Sequence, residues 1–157
     1  MGQRILPSGT VARQLRRFFH RPNFPVCFGE ISTVVMFDLQ RVVQLPYNER
    51  NFVRDGCLEP NDAGLSFCGR RLISELEHFG LVLDLSHCGV RTSLEALAAS
   101  TQPAIILHAG VRALNGDNPR CLTDEQIRAV AATGGVVGVT LWDGKTSRDR
   151  RSAMLSA

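Results

Sequence analysis

The sequence of 157 residues lacks several features that define common classes of protein. Its five cysteines are odd in number and form no C-x-x-C pair, which argues against a disulfide framework and against a structural zinc knuckle. No apolar run approaches the roughly 20 residues of a membrane-spanning helix, and no H-E-x-x-H segment marks a zincin. The cysteine usage favours a reducing compartment, so we expect a cytoplasmic protein without a membrane span.

What is present is the composition of an ordinary soluble globular protein, with 44% hydrophobic and 21% charged residues. The formal net charge is +3, and basic residues crowd both ends of the chain. These ends carry no set of aromatic residues for stacking on bases and no nucleic-acid-binding motif. We therefore expect solvated ends and no nucleic-acid partner.

The chain divides into three segments. Residues 1–40 are poorly patterned and broken by prolines, residues 41–142 carry a regular alternation of elements, and residues 143–157 form a polar tail. In the central segment, strands are predicted at 42–45, 81–85, 104–107 and 136–141, and helices are predicted at about 63–79, about 92–99 and from 123 to about 132. Apolar strands that alternate with helices predict a parallel α/β sheet that is buried on both faces.

Capping signals predict where two of the helices begin. Asn61 or Asp62 is expected to cap the first helix, and Thr123 with Gln126 forms a capping box for the last. About four parallel strands with three helices amount to roughly half of a (β/α)8 barrel, which needs about 250 residues. A small open α/β sheet is the alternative architecture.

Two histidines lie at the ends of successive predicted strands. His87 follows the apolar run Leu81–Leu85 through Ser86, and His108 follows Ala104–Leu107. Because the carboxyl ends of parallel strands meet at one edge of a sheet, the two imidazoles are expected to converge on a metal site or an acid–base site. The alternative for each residue is a strand-end histidine that is hydrogen-bonded to the backbone.

Other polar residues near the predicted strand ends are weaker candidates. Arg120 could clamp a substrate carboxylate or lie on the surface, and Asp84 could orient an imidazole or be a buried acid satisfied by the backbone. Cys88 is poorly placed to act with His87 as a nucleophile, since neighbours on a strand point to opposite faces. Just past an earlier predicted strand end, Tyr47, Asn48 and Asn51 suit contacts with a polar substrate, and the alternative is an ordinary polar loop.

Several separated blocks occur in order between about residues 41 and 141. They are Tyr47–Asn51, Asp55–Cys57, Asn61–Leu65, Asp84–His87, Leu107–His108, Pro119–Arg120, Leu122–Gln126 and Gly134–Val139. Together they resemble the central region of the membrane dipeptidase (renal dipeptidase) family of zinc metallopeptidases, and the microbial branch is the closer likeness.

The resemblance implies a partial (β/α)8 TIM-type barrel and a zinc-dependent dipeptidase, which hydrolyses the peptide bond of dipeptides with a metal-activated hydroxide. It matches His87 and His108 to the two histidines that bind one of the family's two zinc ions. It also matches Arg120 to the arginine that holds the substrate carboxylate, and Tyr47 to a substrate-contacting position. No catalytic residue is carried over to this chain.

The sequence also differs from the family's pattern. No His-x-Asp pair occurs, Glu30 is the only acid near the place of the bridging glutamate, and Cys121 stands where an asparagine is usual. We therefore expect a truncated member of the family. A non-catalytic remnant with half of the metal site is the alternative to an active dipeptidase, and an unrelated α/β binding module is the third. Because a half-barrel would expose two sheet edges, a homo-oligomer is a further expectation.

Overall fold

The computed structural model describes residues 42–45 and 47–140, which form a four-stranded parallel sheet in the order β1-β2-β3-β4. The elements are β1 (Val42–Gln44), α1 (Phe67–His78), β2 (Val82–Asp84), α2 (Val90–Ala99), β3 (Ile105–Ala109), α3 (Arg112–Asn115), α4 (Asp124–Ala132) and β4 (Val136–Val139). The predicted terminal segments, 1–40 and 143–157, lie outside the described residues. The predicted α/β class with four parallel strands is confirmed.

The loop between β3 and α4 differs from its prediction in two ways. β3 extends to Ala109, so His108 lies inside this strand and does not follow it. The backbone pairing of β3 with β4 shifts register between Ile106 and Ala109, which sets the strand end apart from the regular ladder. The predicted loop also contains the single helical turn α3.

The predicted start of the first helix is wrong. α1 begins after Ser66, whose side chain accepts a hydrogen bond from the backbone N–H of Gly69. The carboxylate of Asp62 is occupied elsewhere, since it accepts hydrogen bonds from the backbone N–H and the hydroxyl of Thr92 in the first turn of α2. Asp62 thus caps a helix that begins 28 residues later in the chain than itself.

The predicted capping box of α4 is confirmed. The hydroxyl of Thr123 accepts a hydrogen bond from the backbone N–H of Gln126, and the Gln126 side chain accepts one from the backbone N–H of Thr123. The Gln126 side-chain amide also donates to Ser93 on α2 at 2.7 Å. The last helix is therefore fixed both by its own sequence and by its neighbour.

The core lies between the sheet and the apolar faces of α1, α2 and α4. Its fully buried side chains include Leu45, Ile73, Leu85 and Ile106. β4 departs from the expectation of strands buried on both faces, because Val136 and Val139 are 66% and 72% exposed. β4 forms one edge of the described sheet, so its apolar side chains have neighbours on fewer sides than those of β2 and β3.

Two further expectations concern helices and cysteines. The longest described helix, α1, has 12 residues. Of the helices in the described part of the chain, none has the length and apolar character that crossing a membrane requires. The four described cysteines, Cys57, Cys68, Cys88 and Cys121, are buried, and none of them is in a disulfide bond.

Candidate functional site

His87 and His108 converge at the carboxyl edge of the sheet. Their Nε2 atoms lie 3.0 Å apart, and their rings meet edge to face with centroids 5.0 Å apart. Two Zn–N bonds of about 2.0–2.1 Å at a tetrahedral angle would place their nitrogens about 3.3 Å apart. The two side chains therefore approach each other in the way that ligands of one metal ion do.

The tautomer of His87 is set by Asn48. His87 Nδ1 lies 2.5 Å from the side-chain oxygen of Asn48, which accepts a hydrogen bond, so Nδ1 carries the proton and Nε2 keeps its electron pair. Burial, aided by the positive charge of Arg120, lowers the pKa of His87 to about 3. His87 is therefore neutral near pH 7, which is the state that binds a metal.

The backbone at His87 is held in an uncommon conformation. Its φ is +66°, and it is the single non-glycine residue with positive φ in the described part of the chain. Its carbonyl oxygen accepts hydrogen bonds from the backbone N–H of Cys57 at 2.9 Å and from Arg54 Nη1 at 3.1 Å. These two donors hold the sharp turn that directs the imidazole toward His108.

Tyr47 covers one face of the His87 ring. The two rings stack with centroids 3.9 Å apart and an interplanar angle of 29°. Tyr47 itself is 62% exposed, so its other face is open to solvent. The aromatic surface beside the histidine pair is thus accessible to a ligand.

Arg120 contacts the pair through the backbone of His108. Its Nη2 atom donates to the carbonyl oxygen of His108 at 2.8 Å, and burial lowers the pKa of its guanidinium. Among the described residues no carboxylate forms an ion pair with it. Its remaining donors can therefore bind an anionic group of a ligand.

Arg54 was not predicted from the sequence as a site residue. It is only 1% exposed, and its Nη2 atom donates to the carbonyl oxygen of Tyr47 at 2.9 Å. Since Nη1 binds the carbonyl of His87, one guanidinium joins the backbones of both stacked residues. A sequence pattern gives little sign of this role, because a lone arginine in a loop usually lies at the surface.

The structure decides between the alternatives for two further candidates. The Asp84 carboxylate receives hydrogen bonds from the backbone N–H and hydroxyl of Ser86 and from the backbone N–H of Leu107, and neither imidazole is among its partners. Asp84 is therefore a buried acid that orients neither imidazole, and only its Oδ1 atom is satisfied, since Oδ2 has no hydrogen-bond partner in the described part of the chain. Burial raises the pKa of the Cys88 thiol to about 12, so it stays protonated and is a poor nucleophile.

The histidine pair fits part of the ligand set of a zinc ion. Both donors are imidazole nitrogens, which zinc accepts readily, and one of them has its tautomer fixed by a neighbouring amide. Within residues 42–45 and 47–140, no group of three or more His, Cys, Asp or Glu side chains is arranged to hold a metal. The described residues thus supply two ligands and not a complete set.

Comparison with known proteins agrees with these features. A family model for the membrane dipeptidases (peptidase family M19) matches residues 37–154. The chain belongs to this family. The match runs past both ends of the resemblance seen between about 41 and 141, and it reaches into the segment predicted to be a polar tail.

Relatives of this membrane dipeptidase family member include proteins of fungi and bacteria. An uncharacterised dipeptidase of Schizosaccharomyces pombe is 32% identical over 104 residues, which are 65% of this chain and 25% of that protein. An amidohydrolase of Pseudomonas aeruginosa superimposes with a TM-score of 0.58 and 39% identity, covering 62% of this chain and 30% of that chain.

A third relative was solved with a ligand. A metallopeptidase of Rhodobacter sphaeroides, bound to a phosphinate mimic of the dipeptide L-Ala-D-Ala, superimposes with a TM-score of 0.57 and 26% identity. The alignment covers 63% of this chain and 30% of that chain. The chain therefore spans about a quarter to a third of the length of these three proteins, and its described sheet corresponds to part of their barrel-type fold.

Proposed function

We propose that this chain carries part of the active site of a metal-dependent dipeptidase, in which His87 and His108 bind one metal ion through Nε2. The 3.0 Å separation of the two Nε2 atoms is the observation that carries the proposal. The hydrogen bond from His87 Nδ1 to Asn48 supports it, because it leaves the electron pair of Nε2 available to the metal. Zinc is the metal that best suits imidazole ligands in this chemistry.

We assign the substrate carboxylate to Arg120 and a neighbouring apolar contact to Tyr47. The positive charge of Arg120 faces no carboxylate in the described part of the chain, and a guanidinium can hold a carboxylate through two parallel hydrogen bonds. The exposed ring of Tyr47 lies next to the histidine pair. The dipeptide mimic bound by the Rhodobacter sphaeroides relative supports dipeptides as the substrate class.

In the proposed reaction, a water oxygen adds to the peptide carbonyl carbon, the C–N bond breaks, and the departing nitrogen takes up a proton that the water gives up. A bound metal ion would supply the Lewis acidity that this hydrolysis needs. Arg120 would hold the carboxylate end of the substrate. His87, being neutral near pH 7, would add no positive charge to the site.

A non-catalytic remnant is the second candidate. The observation that favours it is the lack, among the described residues, of a third ligand beside His87 and His108. A catalytic zinc ion usually has three protein ligands and one open position. A chain with two imidazole ligands would bind a metal ion weakly and would leave a dipeptide uncut.

The deciding experiment measures zinc per chain and hydrolysis of L-Ala-L-Ala and L-Ala-D-Ala by the full 157-residue chain with added zinc. The variants are His108→Ala and, as a matched control, His78→Ala, which removes an exposed histidine at the end of α1. Turnover that is lost in the first variant and kept in the second supports the dipeptidase. Zinc binding without turnover supports the remnant, and no zinc above background contradicts the metal site in either form.

A further inference from the structure

β2, which leads into the turn with His87, and β3, which contains His108, are joined by side chains near their carboxyl ends. Their backbone register consists of the single pair Asp84 and Ile105, and Leu85 N–H donates to the carbonyl of Ile105 at 2.8 Å. Beyond this point the two strands separate, and the backbone N–H groups of Leu107 and His108 turn toward a side chain of the neighbouring strand end.

That side chain is Ser86. Its hydroxyl donates to the Asp84 carboxylate at 2.8 Å and accepts from the backbone N–H of Leu107 at 3.0 Å and of His108 at 3.4 Å. A hydroxyl has one donor and two acceptor positions, so all of its capacity is used. Ser86 is also fully buried, which keeps water from competing for these hydrogen bonds.

Ser86 therefore connects the two histidines in two different ways. It precedes His87 in the chain, and it holds the backbone N–H of His108 across the gap between the strands. We propose that Ser86 is the positioning residue that sets the separation of the two Nε2 atoms, and so the affinity of the pair for a divalent metal. This inference rests on the proposed metal site and adds the residue that assembles it.

Asp84 completes the link. Its Oδ1 atom accepts from the Ser86 hydroxyl, from the Ser86 backbone N–H at 2.9 Å and from the Leu107 backbone N–H at 3.2 Å. The carboxylate therefore orients the Ser86 hydroxyl so that its acceptor positions point at β3. The order of action is Asp84, then Ser86, then the backbone of His108.

The chain provides a matched control for a buried hydroxyl. Ser93 on α2 is also fully buried, donates to the carbonyl of Gly89 at 2.9 Å and accepts from the Gln126 side chain at 2.7 Å. It lies on a helix and has no contact with the histidine pair among these bonds. Ser86→Ala and Ser93→Ala thus remove similar groups with similar burial and differ in their connection to the pair.

The test compares Zn²⁺ and Co²⁺ affinity of the full chain and its two variants, with folding checked by circular dichroism. We expect Ser86→Ala to weaken metal binding about 10- to 100-fold and to change the visible absorption spectrum of bound Co²⁺. We expect Ser93→Ala to bind metal as the unmodified chain does. Equal affinities for Ser86→Ala and the unmodified chain, with both folded, would overturn the proposal.

A second measurement needs no metal. Amide hydrogen exchange in the metal-free protein should be roughly tenfold faster at Leu107 and His108 in Ser86→Ala, and unchanged there in Ser93→Ala. If the unmodified chain binds no metal, the proposed function fails. The exchange rates, together with the nuclear Overhauser effect between protons of the two imidazole rings, then decide whether Ser86 positions the histidines. Unchanged exchange at both amides would overturn the link itself.

If Ser86→Ala does not fold, Ser86→Cys replaces it as the test variant. The thiol keeps a group of similar shape but is a weak acceptor, so we expect intermediate exchange at His108. Metal affinity is not compared in this variant, because a thiolate is itself a zinc ligand. Exchange equal to that of the unmodified chain in this variant would contradict the role of the hydroxyl.

Discussion

Arg54 Nη1 lies 3.1 Å from the carbonyl oxygen of His87, the single non-glycine residue with positive φ in the described part of the chain. A fully buried guanidinium thus acts on the backbone of a proposed metal ligand, although no acidic partner neutralises it by an ion pair among the described residues. The same group reaches the carbonyl of Tyr47 at 2.9 Å.

Replacing Arg54 should cost more stability than replacing a surface arginine. Arg54→Met leaves the partly buried carbonyl of Tyr47 and the buried carbonyl of His87 without this donor, so we expect the free energy of unfolding to fall by about 1–3 kcal/mol. Arg70→Met is the control, because Arg70 pairs with Glu95 while about half exposed and such a pair contributes about 0–1 kcal/mol. Urea unfolding measures both, and equal losses would contradict the structural role of Arg54.

Replacing Asn48 should weaken metal binding through the tautomer of His87. Asn48→Ala removes the acceptor for the Nδ1 proton, and loss of such a partner typically lowers metal affinity about 10- to 100-fold. Asn48→Asp keeps an acceptor at this place and should retain most of the affinity. Competition with a metal-binding dye gives both values, and equal affinity in the alanine and aspartate variants would show that Asn48 does not act in this way.

The stability of the metal-free protein should fall as the pH is lowered from about 6.5 toward 3. Burial lowers the pKa of folded His87 from 6.5 to about 3, so across this window the unfolded chain takes up a proton that the folded chain does not. The contribution of His87 is therefore fully present above the unfolded pKa and is lost as the pH falls.

Urea unfolding between about pH 7.5 and 4.5 checks this dependence. His87→Asn should remove the part of the pH slope that belongs to His87, and asparagine tolerates the positive φ at this position better than most residues. His78→Asn is the control, since His78 is exposed at the end of α1. A slope that persists unchanged in His87→Asn would contradict the assignment.

Asp62 should stabilise α2 although it lies far from that helix in the sequence. Asp62→Ala removes the acceptor for the backbone N–H and hydroxyl of Thr92, and loss of an N-terminal cap costs about 1 kcal/mol. Asn61→Ala, at an exposed position next to it, should change stability by less than about 0.5 kcal/mol. Thermal unfolding gives the midpoint temperature of each variant. Equal lowering of the two midpoints would contradict this assignment.

That His87 and His108 lie at one edge of the sheet could be predicted because it depends on the topology. Two strand ends that are consecutive in a parallel sheet meet at one edge, whatever their side chains are. The capping box of α4 could be predicted because both of its residues lie within one turn. These features need only local sequence and the order of the elements.

Other features depend on contacts between distant residues. Asp62 carries the sequence signal of a local cap, but its partner Thr92 is 30 residues away, and the helix next to Asp62 begins after Ser66. The roles of Arg54 and Ser86 consist of hydrogen bonds to backbone groups of other loops and strands. Backbone partners leave no mark in the sequence, because every residue has the same N–H and C=O groups.

The four buried thiols in the described part of the chain can report how often the fold opens locally. Cys57, Cys88 and Cys121 lie close to the histidine site or its supporting loops, while Cys68 lies on α1. Each can react with an alkylating reagent only while its surroundings are open, so the labelling rate of each thiol reports how often that part of the fold separates. Comparing the four labelling rates therefore compares the opening of the site with that of α1, without any engineered cysteine.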